Sequence, residues 1–340
     1  MKAVRFHQQG GLDVLRYEDA PDPAIADDDV LIGVRACALN HLDIWARSSL
    51  PGIKLPHISG SDVSGDIVAV GAAVEGLKVG DRVTVNPALS CGRCEFCEAG
   101  DDNLCASFDI LGRGCDGGYA ELVKVPARNV APIRADLSYE EAAAFPLVFL
   151  TAWHMLVSRA KLAPGETVLI HAAGSGVGSA AVQIARLCGA RVIATVGTSD
   201  KVDKATKLGA DQVINRTEQD TAAAVQQITG GRGVDVVFEH VGPETWRDSM
   251  RCLAKRGRLV TCGATTGPTV EVDLRFMFSR QFTILGSMMG TRADFRRVAD
   301  LVGRRVLEPV IDSTFPLKEA IEAQRRMESR RFFGKILLVA

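Results

Sequence analysis

The 340-residue chain is 47% hydrophobic and 24% charged, with a formal net charge of −1. That balance gives no bulk attraction to nucleic acid or an anionic membrane, and no apolar run approaches the roughly 20 residues needed to span a bilayer. Of nine cysteines, Cys37, Cys115, Cys188, Cys252 and Cys262 are scattered singly, which suits thiols in a reducing compartment better than a disulfide framework; the N-terminal MKAVRFHQQGG lacks the apolar core of a signal peptide, so a cytoplasmic protein is expected.

From the start to about residue 147, short apolar runs are broken by Gly, Pro and Asp. DVLIGVRACAL, GDIVAVG, DRVTV and YAELVKV each predict a strand ending at a turn. Many short strands of this kind favour a barrel or sandwich over a helical bundle. From about residue 148 the texture alternates. ETVLIHA predicts a strand, 176–188 a helix, RVIATV a strand, 199–208 a helix and DQVIN a strand. There follow a helix over 218–229, a strand in VDVVFEHV, a helix over 243–254, a strand in GRLVTCG and a further apolar run, FTILGS. Near-continuous apolar strands belong to a parallel sheet with helices on both faces. The expected division is a first domain over 1–147, a nucleotide-binding domain over 148–287, and a return to the first domain over 288–340 through a closing strand in GKILLVA.

Within the first domain, Cys91, Cys94, Cys97 and Cys105 follow the spacing C-x2-C-x2-C-x7-C. Closely spaced thiolates on a tight loop satisfy tetrahedral zinc without help from elsewhere, and Gly92 and Gly100 give the backbone freedom to fold around it. An iron–sulfur cluster is the rival, but a ferredoxin run carries x3 and a proline at its fourth cysteine, and neither is present. A redox dithiol of Cys94 and Cys97 leaves Cys91 and Cys105 without a role. Four thiolates fill the coordination shell, so one zinc per chain is expected, and a structural one.

The stretch VLIHAAGSGVGSAAVQIARLCGA, 168–190, follows a predicted strand and opens a predicted helix. Gly174, Ser175, Gly176, Val177 and Gly178 form its turn, where glycines let the backbone approach a pyrophosphate held at a helix N-terminus. The spacing is relaxed, since Ala173 and Ser175 stand where a strict G-x-G-x-x-G has glycine. A packing turn of small residues is the alternative; the βα units behind it favour a dinucleotide. NAD-specific sites place an acid at the end of the second strand for the ribose 2′-hydroxyl. Here Val196 and Gly197 are followed by Thr198, Ser199 and Lys201, two hydroxyls and an ammonium able to hold a 2′-phosphate. Asp200 is a contrary charge, read as a helix-start acid. NADP(H) is the expected cofactor.

With GSDVSGDIVAVG (60–71), GDRV (80–83), GGYAE (117–121) and GVDVVFEHVG (233–242) added, the whole chain resembles the medium-chain dehydrogenase/reductase superfamily. The resemblance implies an α/β protein: a Rossmann-type doubly wound parallel sheet domain plus a GroES-like β-barrel catalytic domain, assembled as a homodimer or homotetramer. In the alcohol-dehydrogenase branch, cysteine, histidine and cysteine hold a catalytic zinc; the corresponding residues here are Asn40, Ser61 and about Leu147, so all three ligands are missing. His41, His57 and Asp62 are the nearby donors for an improvised site. ALNHLDI resembles the A-L-N-Y-x-D segment of the quinone oxidoreductase and enoyl-reductase branches, which use no catalytic metal. His41 replaces the tyrosine, and the cysteine lobe is a departure from typical quinone oxidoreductases. The resemblance implies Asn40, His41 and Asp43 as catalytic candidates and adds Thr151 and His240 to the cofactor site.

Without a Lewis acid, alcohol oxidation is demanding, whereas reduction of an activated C=C bond needs only donors for the developing enolate and a proton source. Asn40 has an amide N–H for the first, and His41 a ring nitrogen for the second. Trp45, Phe149 and Trp153 are candidates to wall an apolar pocket for a small-molecule substrate, or core residues. The leading expectation is an NADPH-dependent reductase of enones, quinones or related alkenes. The alternatives are a zinc alcohol dehydrogenase with improvised ligands and an NADPH-binding protein without catalysis.

Overall fold

The strand Asp29–Ala38 organises the first part of the structure, a computed structural model that describes residues 1–340. Val30, Ile32, Val34 and Ala36 are buried at every second position, as on a strand with one face on a core. One edge of this strand pairs antiparallel with Asp62–Val70. Its other edge is shared, Asp29–Gly33 facing Leu122–Pro126 and Ala36–Ala38 facing the closing strand Lys335–Val339. Arg82–Val85 and Val130–Pro132 extend the sheet on one side and Ile311–Pro316 on the other, giving seven strands.

Arg16–Asp19, Lys2–Phe6 and His57–Ile58 form a separate three-stranded sheet. Val4, Phe6 and Ile58 from it share one apolar core with Ile32, Ile67 and Tyr119. The expected β-barrel is therefore realised as two sheets around one core, joined at an isolated bridge between Ala3 and Ala120, rather than as a closed hydrogen-bonded cylinder. The branch at Asp29–Ala38 and the shortness of the flanking strands prevent the continuous register that closure requires. Residues 1–147 and 291–340 make one compact unit and 148–290 a second.

In the second unit six strands run parallel, in the order Gln212–Asn215, Arg191–Val196, Thr167–Ile170, Val234–Glu239, Leu253–Thr261, Thr283–Gly286. Chain order steps outward from Thr167–Ile170 in one direction and then in the other, which is the doubly wound arrangement. The switch point lies between Thr167–Ile170 and Val234–Glu239, and such sheets bind ligands beyond the carboxyl ends of the strands there. Leu169, Ile193, Val237 and Leu259 pack with Trp246 and Met250 of the helix Pro243–Cys252.

Several boundaries differ from the sequence expectation for local reasons. The helix expected from 218 starts at Thr221 because the Asp220 side chain caps it, accepting from Ala223 N–H. The helix expected to 254 stops at Cys252, since Leu253 already pairs with Val234. Seven α-helices fall where none was expected: His41–Ser48, Glu95–Ala99, Tyr139–Ala144, Pro146–Trp153, Leu274–Arg280, Arg292–Gly303 and Ala320–Glu328. A Cβ added at Gly65 would stand 2.0 Å from the Gly33 carbonyl oxygen on the paired strand. Gly65→Ala should therefore lower stability by about 1–3 kcal/mol, seen as an earlier urea midpoint, whereas Gly286→Ala, with open space around it, should leave the midpoint nearly unchanged.

Candidate active site and zinc lobe

The loop 91–105 brings the four cysteine sulfurs within 4.8 Å of one another. Cys97 Sγ lies 3.9 Å from Cys91 Sγ and 3.5 Å from Cys94 Sγ. Four sulfurs each about 2.3 Å from a tetrahedral zinc stand roughly 3.8 Å apart, whereas a disulfide needs about 2.05 Å. The donor set fits a zinc ion. Gly100, at φ +87°, ends the helix Glu95–Ala99 and turns the chain toward Cys105. The N–H groups of Cys91 and Ser107 each donate to Cys105 Sγ at 3.3 Å. The Cys94 thiol is pushed down to about 6, first by the Cys97 backbone N–H, which favours the thiolate a metal takes. Buried Asp102 ties the lobe to the helix Arg292–Gly303 by accepting from Arg292 N–H at 3.0 Å.

A second cluster in the same unit surrounds Asn40. Lys335, 3% exposed, points its ammonium at three oxygens: Leu39 O at 2.7 Å, Asn40 Oδ1 at 2.7 Å and Asp62 Oδ2 at 2.9 Å. Asp62 Oδ2 also accepts from Asn40 Nδ2 at 2.9 Å, and its Oδ1 from Leu147 N–H at 2.7 Å. Ser61 is fully buried, and its hydroxyl has no protein partner. Asn40 was expected as an amide donor; one of its N–H bonds is committed to Asp62, and the other reaches Ala38 O only at 3.5 Å.

Asp43, expected among the catalytic residues, is instead part of the frame. Its carboxylate accepts from Asn40 N–H at 2.7 Å, Tyr119 O–H at 2.8 Å and Gly60 N–H at 3.2 Å, and it is 1% exposed. Burial pushes its carboxyl up to about 6. His41 opens the helix His41–Ser48, half-buried, with its ring 6.2 Å from that of Trp45. Two of the donors considered for an improvised zinc site are engaged within the fold: His57 Nε2 is paired with Gly112 O at 2.9 Å and Asp62 with Lys335. Burial holds the His57 imidazole below its ordinary value.

In the second unit, the turn 171–178 opens the helix Gly176–Leu187 at the sheet's switch point. Ser175 caps it, its Oγ accepting from Gly178 N–H at 3.0 Å. A Cβ on Gly178 would lie 2.3 Å from Ala172 O, so this close helix–strand approach requires glycine. Ala172 adopts φ +48° and is tethered to the neighbouring strand through Thr195 Oγ1 at 3.0 Å. Gly174, Gly176 and Val177 complete the turn, presenting the first N–H groups of the helix to an anion.

Two cofactor candidates have internal partners. His240 donates from Nε2 to His171 O at 2.9 Å and packs edge-on against Phe238, with burial lowering its basicity. Thr151 is buried with its hydroxyl 3.8 Å from Met289 Sδ. Phe149 is a core residue. Below His240, the buried Glu239 carboxylate accepts from Val241 and Gly242 N–H and from the Thr245 and Ser249 hydroxyls, fixing the loop 240–242.

At the ribose end, Thr198 and Ser199 are exposed and Lys201 half-buried in the turn after Val196. Ser199 Oγ is engaged already, donating to Glu218 at 2.5 Å and accepting from Asn215 Nδ2 at 2.9 Å. Sequence reasoning missed Arg216. Its N–H donates to Val196 O at 3.0 Å, and its Nε stands 4.0 Å from where a Cβ of Gly197 would be. The signal was available only as the end of the third strand, which a parallel sheet sets beside the second.

The chain matches two family profiles, zinc-binding dehydrogenase over residues 176–304 and alcohol dehydrogenase GroES-like domain over 26–135. It therefore belongs to the medium-chain dehydrogenase/reductase superfamily, and its relatives are oxidoreductases. It is 31% identical to quinone oxidoreductase 1 of Escherichia coli (strain K12), across 99% of this chain and 98% of that one. It is 33% identical to crotonyl-CoA carboxylase/reductase of Cereibacter sphaeroides, across 96% and 83%. The solved structure of an NAD-dependent alcohol dehydrogenase superposes with a TM-score of 0.97 at 45% identity, covering 100% of both chains.

Asp43 supplies a test of the buried cluster. Its folded value near 6 lies above the ordinary 3.8, so the folded state holds this proton more tightly. The stabilisation is full below the unfolded value and is lost as pH rises through the folded one. Measured by urea unfolding, the wild-type chain should gain stability relative to Asp43→Asn as pH falls from about 7 to about 5; parallel curves would place the carboxyl in water.

Proposed function

We propose that this protein is an NADPH-dependent reductase of activated alkenes or quinones, with one structural zinc on Cys91, Cys94, Cys97 and Cys105 and no catalytic metal. The observation that carries the proposal is the state of the positions where zinc ligands stand in the alcohol-dehydrogenase branch. They hold an amide, a hydroxyl and an aliphatic side chain, and Lys335 supplies the cation bonded to Asn40 and Asp62. The relatives named quinone oxidoreductase and crotonyl-CoA carboxylase/reductase support this reading.

Bound NADPH supplies the hydride. Asn40 offers its weakly engaged N–H to the substrate oxygen, stabilising negative charge as it grows there. His41 delivers the proton that completes the reduced product. Ser175 and the helix it caps hold the pyrophosphate. Val196 leaves the end of the second strand without the acid that NAD-specific sites place there, and Arg216 and Lys201 are the cations for a 2′-phosphate. Glu218, bonded to Ser199, opposes them, so the argument for NADPH rests on the cations rather than on the Ser199 hydroxyl.

The 45% identity to an NAD-dependent alcohol dehydrogenase favours a second reading, oxidation of alcohols with NAD. One comparison decides between them: an enone with NADPH against a primary alcohol with NAD⁺, on protein stripped of loosely held metal. The expected result is enone turnover that survives chelation with little alcohol oxidation; faster alcohol oxidation that collapses on chelation establishes the second reading. Arg216→Ala should raise the KM for NADPH about tenfold, the loss of one charge-assisted bond, with the KM for NADH little changed. Elemental analysis should find one zinc per chain, and Cys97→Ser should lower the Tm more than the turnover of the protein that survives.

A further inference from the structure

We infer that Lys335 is the positioning residue of this site: its ammonium sets which way round the Asn40 amide lies, and so sets Asn40 to meet an oxygen that accepts a hydrogen bond rather than one that donates. The inference rests on the reading of Asn40 as the group that meets the substrate.

The two ends of a carboxamide are nearly the same shape, so packing alone does not choose between them. Charge does. An ammonium can only donate and an ionised carboxylate can only accept. Asn40 is held between one of each, with Oδ1 2.7 Å from Lys335 Nζ and Nδ2 2.9 Å from Asp62 Oδ2. Turning the amide over would set NH2 against the ammonium and C=O against the carboxylate, two repulsive contacts in a site from which water is excluded. Asn40, Asp62 and Lys335 are 7%, 0% and 3% exposed, so no solvent is at hand to relieve them.

Lys335 has no direct part in the chemistry. Its three hydrogens face three oxygens, Leu39 O included, and none is left for a substrate. Asp62 is likewise engaged within the fold, accepting from Lys335, Asn40 and Leu147 N–H. What the ion pair leaves over is the second Asn40 N–H, whose contact with Ala38 O is long at 3.5 Å. A carbonyl oxygen gaining charge accepts from that N–H. The reversed amide would present a lone pair to it instead, and would suit a hydroxyl donor.

The test compares the wild-type chain with Lys335→Met and with Lys335→Met/Asp62→Asn; the second removes both charges together, so that folding does not depend on an unpaired buried carboxylate. Near-UV circular dichroism establishes which variants fold. In a folded variant, kcat for an enone should fall at least about tenfold while the KM for NADPH stays within about twofold. The Asn40 side-chain amide protons, assigned by their absence in Asn40→Asp, should exchange slowly with solvent in the wild-type chain and at least about tenfold faster in the variant. Unchanged kcat in the folded double variant overturns the inference, as does fast exchange of the wild-type amide. If the wild-type chain turns over neither enones nor quinones but its Asn40 amide shows the expected exchange contrast, the functional reading fails and the orienting role of Lys335 stands.

Discussion

One ammonium holds together segments that are distant in the chain. Lys335 lies 295 residues from Asn40 and 273 from Asp62, yet bonds to both. Around it, the turn into the helix His41–Ser48, the start of the strand Asp62–Val70 and the closing strand Lys335–Val339 acquire fixed relative positions. Asp43 adds a second layer, drawing the Asn40 and Gly60 N–H groups and the Tyr119 hydroxyl onto one carboxylate. Breaking a buried pair by removing one partner costs far more than the pair contributes, so the cluster constrains the polar residues around it jointly. Its value is geometric: it specifies where one amide lies.

The second unit reaches order by another route. There the backbone carries the constraint, through a parallel sheet whose strands are buried on both faces and whose glycine turn admits no side chain at Gly178. The loop 240–242 is held by the Glu239 carboxylate, which is held below its ordinary value although buried, its donors from Val241, Gly242, Thr245 and Ser249 offsetting the desolvation. Both loops flanking the switch point are thus shaped by groups lying beneath them. Neither His240 nor Thr151 needs to touch a ligand to explain its place in the structure.

Features whose partners are close in sequence were legible before the structure. The cysteine spacing is local, and the sulfurs assemble as that spacing requires. The alternation of strands and helices is a period, and the sheet follows it, strand by strand. What escaped was non-local or diluted. Nothing near Lys335 in GKILLVA announces a buried cation, since its partners lie hundreds of residues upstream. Arg216 was hidden over a shorter span, its neighbours Val196 and Gly197 closing the adjacent strand of the sheet. The helix Arg292–Gly303 did carry a signal, Phe295, Val298 and Val302 on one face, but polar residues between them diluted it. Asp43 shows the converse: its place in a motif was legible, but not the three internal donors that its carboxylate draws from distant segments.

The topology also has a consequence for synthesis. The strand Lys335–Val339 completes a sheet whose other members, apart from Ile311–Pro316, precede residue 133. A ribosome therefore delivers the entire parallel sheet of the second unit before the first unit can receive its final strand. Throughout that interval Asp62 awaits its counter-ion, and the edge at Ala36–Ala38 remains open to pairing with other chains. The nascent protein must hold its first two-fifths in an unfinished state while a later domain folds to completion.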